Sequence, residues 1–263
     1  MKRRFRKMHG LGNDFVIFDA REAPLEMDAE RARALADRRT GIGCDQLIVL
    51  EPSESAEVRM RIWNGDGGEV ESCGNASRCV GWLLGGETVI ETAGGTLRAS
   101  ATEDGASVAM GQPRFGWDEI PLAYPMDGDA LPVGWEDLQG PAALNVGNPH
   151  VVFFVEDARA VPLDRLGPTI ETDPLFPERV NVNVASIEEG VIRLRVWERG
   201  AGLTQACGTG ACATAVAAIR RRLVQSPVTV RLPGGVLRID WAPGRDIVMT
   251  GAAASVFEGE IDL

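Results

Sequence analysis

Arg59-Met60-Arg61-Ile62-Trp63 and Arg193-Leu194-Arg195-Val196-Trp197 are one short passage written twice. Three positions are identical and two exchange one apolar side chain for another. Extended forward without a gap, the match brings Cys73-Gly74 onto Cys207-Gly208 at the same offset of 134 residues. Upstream, Gly12-Asn13 meets Gly147-Asn148 at an offset of 135. Downstream, Gly94-Gly95-Thr96-Leu97-Arg98 meets Gly234-Gly235-Val236-Leu237-Arg238 at 140, and Val108 and Gly111 meet Val248 and Gly251 at that same 140. Matches that keep their order and nearly their offset mark a duplication, two homologous halves each the size of a small domain. The expected division is 1–114 plus 253–263 for the first half and 115–252 for the second, the last residues crossing back.

The local patterns agree between the halves. Alternation of apolar and polar residues predicts strands over 59–63, 95–101 and 107–110, and again over 192–197, 235–240 and 247–250. The paired glycines 94–95 and 234–235 are turn signals. A helix is expected over 28–39, with Asp28 as N-cap and Gly41 beyond its end. A second helix starts directly after each aligned cysteine. From Gly208 to Ile219 small and apolar residues cover the whole circumference, so that helix must be buried. The expected fold is α/β (α+β): two pseudo-symmetric domains, each an antiparallel sheet or barrel wrapped around a central helix, with the active site in the cleft between them.

Composition narrows the function. The 263 residues carry a formal charge of −11, which argues against a broad nucleic-acid or anionic-membrane footprint. The opening Met1-Lys2-Arg3-Arg4-Phe5-Arg6-Lys7 is basic, but Met8-His9-Gly10 follows where a signal peptide would need an apolar stretch. A cytoplasmic protein with a small-molecule substrate is expected, and a homodimer is left open. The five cysteines, Cys44, Cys73, Cys79, Cys207 and Cys212, are odd in number and read as free thiols. Cys44, Cys79 and Cys212 are expected to be core residues.

Cys73 and Cys207 differ, because each stands just before a helix. A helix start has unpaired N–H groups and partial positive charge, which favour a thiolate and can hold a carboxylate. Two such elements related by pseudo-symmetry suit inversion at a tetrahedral carbon: one thiolate removes a proton from one face and one thiol returns a proton to the other. Such chemistry needs no metal and no cofactor.

The stretches Lys7–Phe15, Glu71–Asn75, Gly147-Asn148-Pro149-His150, Arg179-Val180-Asn181, Glu198–Gly202 and Thr204–Gly210 resemble the signatures of diaminopimelate epimerases, from one end of the chain to the other. The resemblance implies interconversion of LL- and meso-2,6-diaminopimelate for lysine and peptidoglycan precursors, without pyridoxal phosphate or metal. It implies that Cys73 and Cys207 are acid and base, and that His150 and Glu198 matter to catalysis. The backbone amides of Gly74-Asn75 and Gly208-Thr209 would hold the α-carboxylate. Asn13, Gln46, Asn64, Asn148, Asn181, Glu198 and Arg199 would bind the remainder. Arg199 can grip a carboxylate and Glu198 an ammonium, which suits a substrate with a zwitterion at each end.

Three other readings stay open on the residues alone. A racemase of proline or another single-ended amino acid would share the scaffold without needing Glu198 and Arg199. A Cys-His hydrolase using His150 and Cys207 would leave Cys73 and the duplication unexplained. A zinc or redox module would need tighter cysteine spacing and nearby histidines, yet the chain has only His9 and His150.

Overall fold

The computed structural model describes residues 2–71 and 73–263, which divide into two compact units. Unit 1 holds 1–109 and 250–263, and unit 2 holds 110–249. In unit 1 the chain forms β1 (Lys2–Gly10), β2 (Asn13–Asp19), α1 (Ala29–Ala36), β3 (Gln46–Glu51), β4 (Val58–Asn64), β5 (Glu69–Val70), α2 (Gly74–Leu84), β6 (Glu87–Thr92), β7 (Gly95–Thr102) and β8 (Gly105–Ala109). Unit 2 adds a small β9 (Gly134–Trp135) and β10 (Leu138–Gln139) hairpin. It then runs β11 (Ala142–Asn145), β12 (Pro149–Phe154), α3 (Leu163–Glu171), β13 (Asn181–Glu188), β14 (Val191–Glu198), β15 (Gly202–Thr204), α4 (Gly208–Arg220), β16 (Val228–Leu232) and β17 (Gly235–Asp240). After β18 (Val248–Ala252), β19 (Ala254–Asp262) pairs antiparallel with β1.

The α/β class holds, with sheet dominant and four α-helices among the described residues. The strands, however, are not all antiparallel. β2 runs parallel to β3 and β4 to β6; in unit 2, β12 runs parallel to β13 and β14 to β16. The cause is the helices, since two parallel neighbours need a crossover long enough to hold one. α1 and α2 serve as crossovers in unit 1, and α3 and α4 repeat them in unit 2. The duplication extends to register: Val58 pairs with Ile90 in β4–β6, and Ile192 pairs with Val230 in β14–β16.

Side chains alternate across these strands, so each central sheet has two faces to cover. In unit 1, Val16, Phe18, Leu47, Val49 and Trp63 pack with Ala32 and Leu35 of α1. In unit 2, Val151, Phe153, Val182 and Val184 pack with Leu163, Leu166 and Ile170 of α3. The opposite faces meet α2 and α4. α4 is buried from Gly210 to Ala218 and packs on β11, β12, β13, β14, β16 and β17.

α1 starts where expected: Asp28 accepts from Arg31 N at 2.8 Å. It stops at Ala36, short of 39, because the Asp37 carboxylate takes the N–H groups of Arg39 and Thr40 at 2.8 and 2.7 Å, competing with the helical ladder. No helix among the described residues is long and apolar enough to cross a membrane.

Candidate active site

Both aligned cysteines are helix N-caps. Cys73 caps α2 and Cys207 caps α4, each in extended backbone conformation. The first intrahelical bonds are donated by Ser77 N to Cys73 O and by Ala211 N to Cys207 O. The N–H groups of Gly74 and Asn75, and of Gly208 and Thr209, therefore lie ahead of the ladder, as anion binding at a helix start requires.

In unit 1, Cys73 is half-buried, with Sγ 3.9 Å from Asn13 Oδ1. That oxygen also accepts from Asn75 Nδ2 at 3.4 Å, while Asn75 Oδ1 accepts from the buried Arg78 at 2.9 Å. Asn13 stands at the start of β2, just after a tight turn in which Leu11 and Gly12 both have positive φ. A two-residue hairpin of this kind matches the strand twist. The Asn13 amide nitrogen donates to Asp45 Oδ2 at 3.3 Å. Asp45 in turn is held by Arg38 at 2.7 Å, and Arg38 also binds Asp14. Asp14 pairs with the buried Lys7, whose ammonium also reaches Gly43 O. Although burial opposes ionisation of Asp14, the hydrogen bonds from Arg38 and Lys7 hold its carboxyl well below the usual carboxylate range. Across β3–β4, Gln46 Nε2 donates to Asn64 Oδ1 at 2.9 Å.

In unit 2, Cys207 is 3% exposed. Its sulfur accepts from Gly210 N at 3.3 Å and lies 3.5 Å from Thr209 Oγ1. Glu198, whose charge acts on this thiol, is bound by the Thr204 hydroxyl. Here the expectation of an easily ionised thiol needs correcting for Cys207. Burial, and then the charge of Glu198, push its pKa well up, outweighing the helix-start donors. Burial raises the Glu198 carboxyl too. Burial and the charge of Glu198 both favour the protonated thiol at Cys207.

His150 is fully buried, and burial, with a smaller contribution from Arg199, lowers its pKa to about 3, so the ring is neutral. Its Nε2 lies 2.8 Å from Asn148 Oδ1, and its Nδ1 lies 3.1 Å from Asn183 Nδ2. The Asn181 amide also holds backbone, donating to Pro149 O at 2.8 Å and accepting from Arg199 N at 2.9 Å. Arg199 itself is exposed, with its guanidinium on Glu178 O at 3.0 Å.

Cys44, Cys79 and Cys212 are buried. Burial raises the Cys44 thiol to about 11 and the Cys79 thiol to about 12. Four site neighbours escaped the sequence reading: Asp45, Glu171, Asn183 and Thr204. Glu171, at the end of α3, accepts from Trp197 Nε1 at 2.7 Å and Gly200 N at 2.9 Å, and so holds both sides of Glu198-Arg199. The repeat was the one available signal for Asn183, since its counterpart in the first half is an isoleucine, Ile48.

The model of the family described as diaminopimelate epimerase matches residues 5–116 and 142–256. The chain is 68% identical to the diaminopimelate epimerase of Sphingopyxis alaskensis, over 100% of this chain and 98% of that protein. It is 56% identical to the diaminopimelate epimerase of Zymomonas mobilis, over 98% and 97%. Its fold resembles a phenazine biosynthesis protein of the PhzF family from Bacillus anthracis (TM-score 0.72, 17% identity, 100% of both chains). It also resembles a hydroxyproline epimerase from Agrobacterium vitis (TM-score 0.67, 17% identity, 99% and 91%). A family match over most of the chain, its two matched stretches containing both cysteine-capped helices, settles its kinship: this chain belongs to the diaminopimelate epimerase family and is an isomerase.

Proposed function

We propose that the protein interconverts LL- and meso-2,6-diaminopimelate by proton transfer between the substrate α-carbon and two thiols, in the cytoplasm and with no cofactor, alone or as a homodimer. The observation that carries this reading is that both cysteines of the family motifs cap helices, so each sulfur stands at a helix start whose first N–H groups precede the helical ladder. One thiolate takes the α-proton and becomes a thiol. The electron pair left on carbon spreads into the α-carboxylate, which the N–H groups of Gly74, Asn75, Gly208 and Thr209 stabilise. The other thiol delivers its proton to the opposite face and becomes a thiolate, so the two exchange roles with direction. Burial and the charge of Glu198 favour the protonated form of Cys207, which suits it to act as the acid in one direction, and Glu198 would take its proton when the reaction runs the other way. Asn13, Gln46, Asn64, Asn148, Asn181 and Arg199 bind the polar groups at the two ends of the substrate.

The test is incubation with LL-diaminopimelate in deuterium oxide, following α-proton exchange and the appearance of the meso form. Cys73→Ser and Cys207→Ser should each abolish epimerisation, whereas Cys44→Ala, Cys79→Ala and Cys212→Ala should retain it. Full activity of Cys73→Ser would overturn the mechanism, and turnover of proline with none of diaminopimelate would overturn the substrate.

A further inference from the structure

Because the units share one topology, each residue around Cys207 has a counterpart around Cys73. His150 pairs with Asn181 in β12–β13 as Phe15 pairs with Gln46 in β2–β3. Two residues on, Asn183 lies opposite Val152 as Ile48 lies opposite Ile17. All four of Phe15, Ile48, His150 and Asn183 are 0% exposed. Where unit 1 fills the space with two apolar side chains, unit 2 buries an imidazole and a carboxamide. Burying such groups is unfavourable unless they are hydrogen-bonded, and unit 1 shows that the fold does not require them.

The hydrogen bonds decide where the imidazole proton sits. The Asn183 amide nitrogen lies 3.0 Å from Val151 O, 3.1 Å from His150 Nδ1 and 3.4 Å from Asn181 O. Carbonyl oxygens can only accept, so the amide must turn its nitrogen, not its oxygen, toward them. Nδ1 faces that same nitrogen and therefore accepts as well. The proton is left on Nε2, which donates to Asn148 Oδ1 at 2.8 Å. With its oxygen engaged, Asn148 has its amide N–H groups to offer to a ligand. Asn183 Oδ1, by contrast, is buried without a partner among the described residues. It faces the first turn of α4, where a Cβ added at Gly210 would come within 2.6 Å of it.

We propose that Asn183 is a positioning residue that locks His150 as the neutral Nε2–H tautomer and thereby makes Asn148 a hydrogen-bond donor, suited to a substrate carboxylate rather than an ammonium. This rests on the reading of Asn148 as a substrate-binding residue, but the lock itself can be observed without substrate. Arg199 is the charged group that acts on the ring, and its positive charge also opposes protonation.

The chain has only two histidines, so a histidine-15N-labelled sample gives two imidazoles to assign. In the unliganded wild-type protein, the His150 resonances should report the Nε2–H tautomer unchanged over about pH 5 to 8, the span in which an ordinary imidazole titrates. An Nδ1–H pattern, or titration within that span, overturns the lock, and this measurement stands whether or not any variant folds. Asn183→Asp, which turns a donor into an acceptor, should move the proton to Nδ1. Asn183→Ile should yield mixed tautomers and lower kcat/KM by roughly tenfold, the scale of one lost orienting hydrogen bond. The Asn148→Ala/Asn183→Ile double variant should be no slower than Asn148→Ala, because the chain acts through Asn148; losses that multiply overturn that link. A wild-type protein with the expected spectrum but no diaminopimelate turnover would refute the proposed substrate and leave the tautomer lock standing.

Discussion

Gly210→Ala places one methyl group at the most crowded point of the α4 start. The new Cβ would lie 2.6 Å from Asn183 Oδ1, 3.1 Å from Val196 Cγ2 and 3.2 Å from Cys207 Sγ. Three contacts closer than ordinary van der Waals distance cannot be relieved together by one rotation. Asn183 cannot retreat without releasing Val151 O and His150 Nδ1. Overpacking of this kind costs about 1–3 kcal/mol, and the rigid neighbours argue for the upper part of that range. Against it stands the gain of at most about 1 kcal/mol from replacing glycine with alanine in a helix. The net expectation is a loss of about 1–2 kcal/mol, which at roughly 2–4 °C per kcal/mol lowers the thermal midpoint by about 2–8 °C.

The repeat supplies a control. The counterpart of Gly210 is Ala76, fully buried in the first turn of α2, so a methyl group at this helical position is compatible with the fold when Ile48 rather than Asn183 stands nearby in the pattern. The clash is therefore with Asn183, and a double-mutant cycle isolates it. Asn183→Ala/Gly210→Ala should be more stable than the sum of its two single changes by about 1 kcal/mol. The assay is urea denaturation of the four proteins, with initial epimerisation rates measured in parallel. A Gly210→Ala protein with the parent's midpoint and kcat, or a cycle that closes additively, would refute the reasoning.

Glu198→Gln should exceed the parent in stability at pH 8, with the advantage gone near pH 4. Burial raises the folded carboxyl pKa above its unfolded value of about 4.3, so the stability linked to its proton is present below that value and lost as pH rises through the folded one; equal urea midpoints at pH 8 would contradict this. Asp14→Asn should lose about 3 kcal/mol at pH 7 because it strands the buried Lys7. The Asp14 carboxyl is depressed, so its contribution is present above the unfolded pKa and falls away as pH drops through the folded one; the gap from the parent should narrow in acid, as denaturation at several pH values will show. Glu171→Leu leaves Trp197 Nε1 and Gly200 N without their acceptor, at about 1–3 kcal/mol each, and should lower kcat along with the urea midpoint; an unchanged kcat would show that the Glu198-Arg199 turn holds without it.

Duplication was legible because a strand's period of two and a fixed offset survive drift at single positions. The Arg59–Trp63 and Arg193–Trp197 passages fall within β4 and β14, which hold equivalent registers. The cysteine caps were legible too, since a helix apolar on all sides declares its own start. Strand direction was not, because alternation is the same for parallel and antiparallel neighbours. α3 was hidden by Gly167-Pro168 in its middle; Gly167 is there because the Trp197 ring lies against it, 2.5 Å from where a Cβ would be. Asn183 was hidden for a related reason. In Asn181-Val182-Asn183-Val184 the asparagines look like a solvent face, but α4 covers that side of β13. The thiol's proton affinity was misjudged from local sequence because the burial and the carboxylate that set it come from β14 and the sheet around α4.

Duplication alone would have produced two equivalent thiols, and that is not what the second half contains. Four positions depart together around Cys207: Phe15 becomes His150, Ile48 becomes Asn183, Ala76 becomes Gly210 and Asn64 becomes Glu198. Each exchange is from apolar to polar, from larger to smaller, or from neutral to acidic. Taken for stability, the set is unfavourable, since it buries an imidazole and a carboxamide whose oxygen has no partner among the described residues, and half-buries a carboxylate beside a thiol. The proposed reaction gives the set a use. At the start of each turnover one sulfur must carry a proton and the other must not, and two thiols in identical surroundings would divide the protons evenly between productive and unproductive forms. The Glu198 carboxylate and deep burial around Cys207 make the two sulfurs unequal, so that Cys207 favours its proton while Cys73, half-buried beside the Asn13 oxygen, meets the substrate from a different environment. In the proposed reaction, duplication supplies a thiol for each face of the carbon, and the departures around Cys207 keep the two from holding their protons alike.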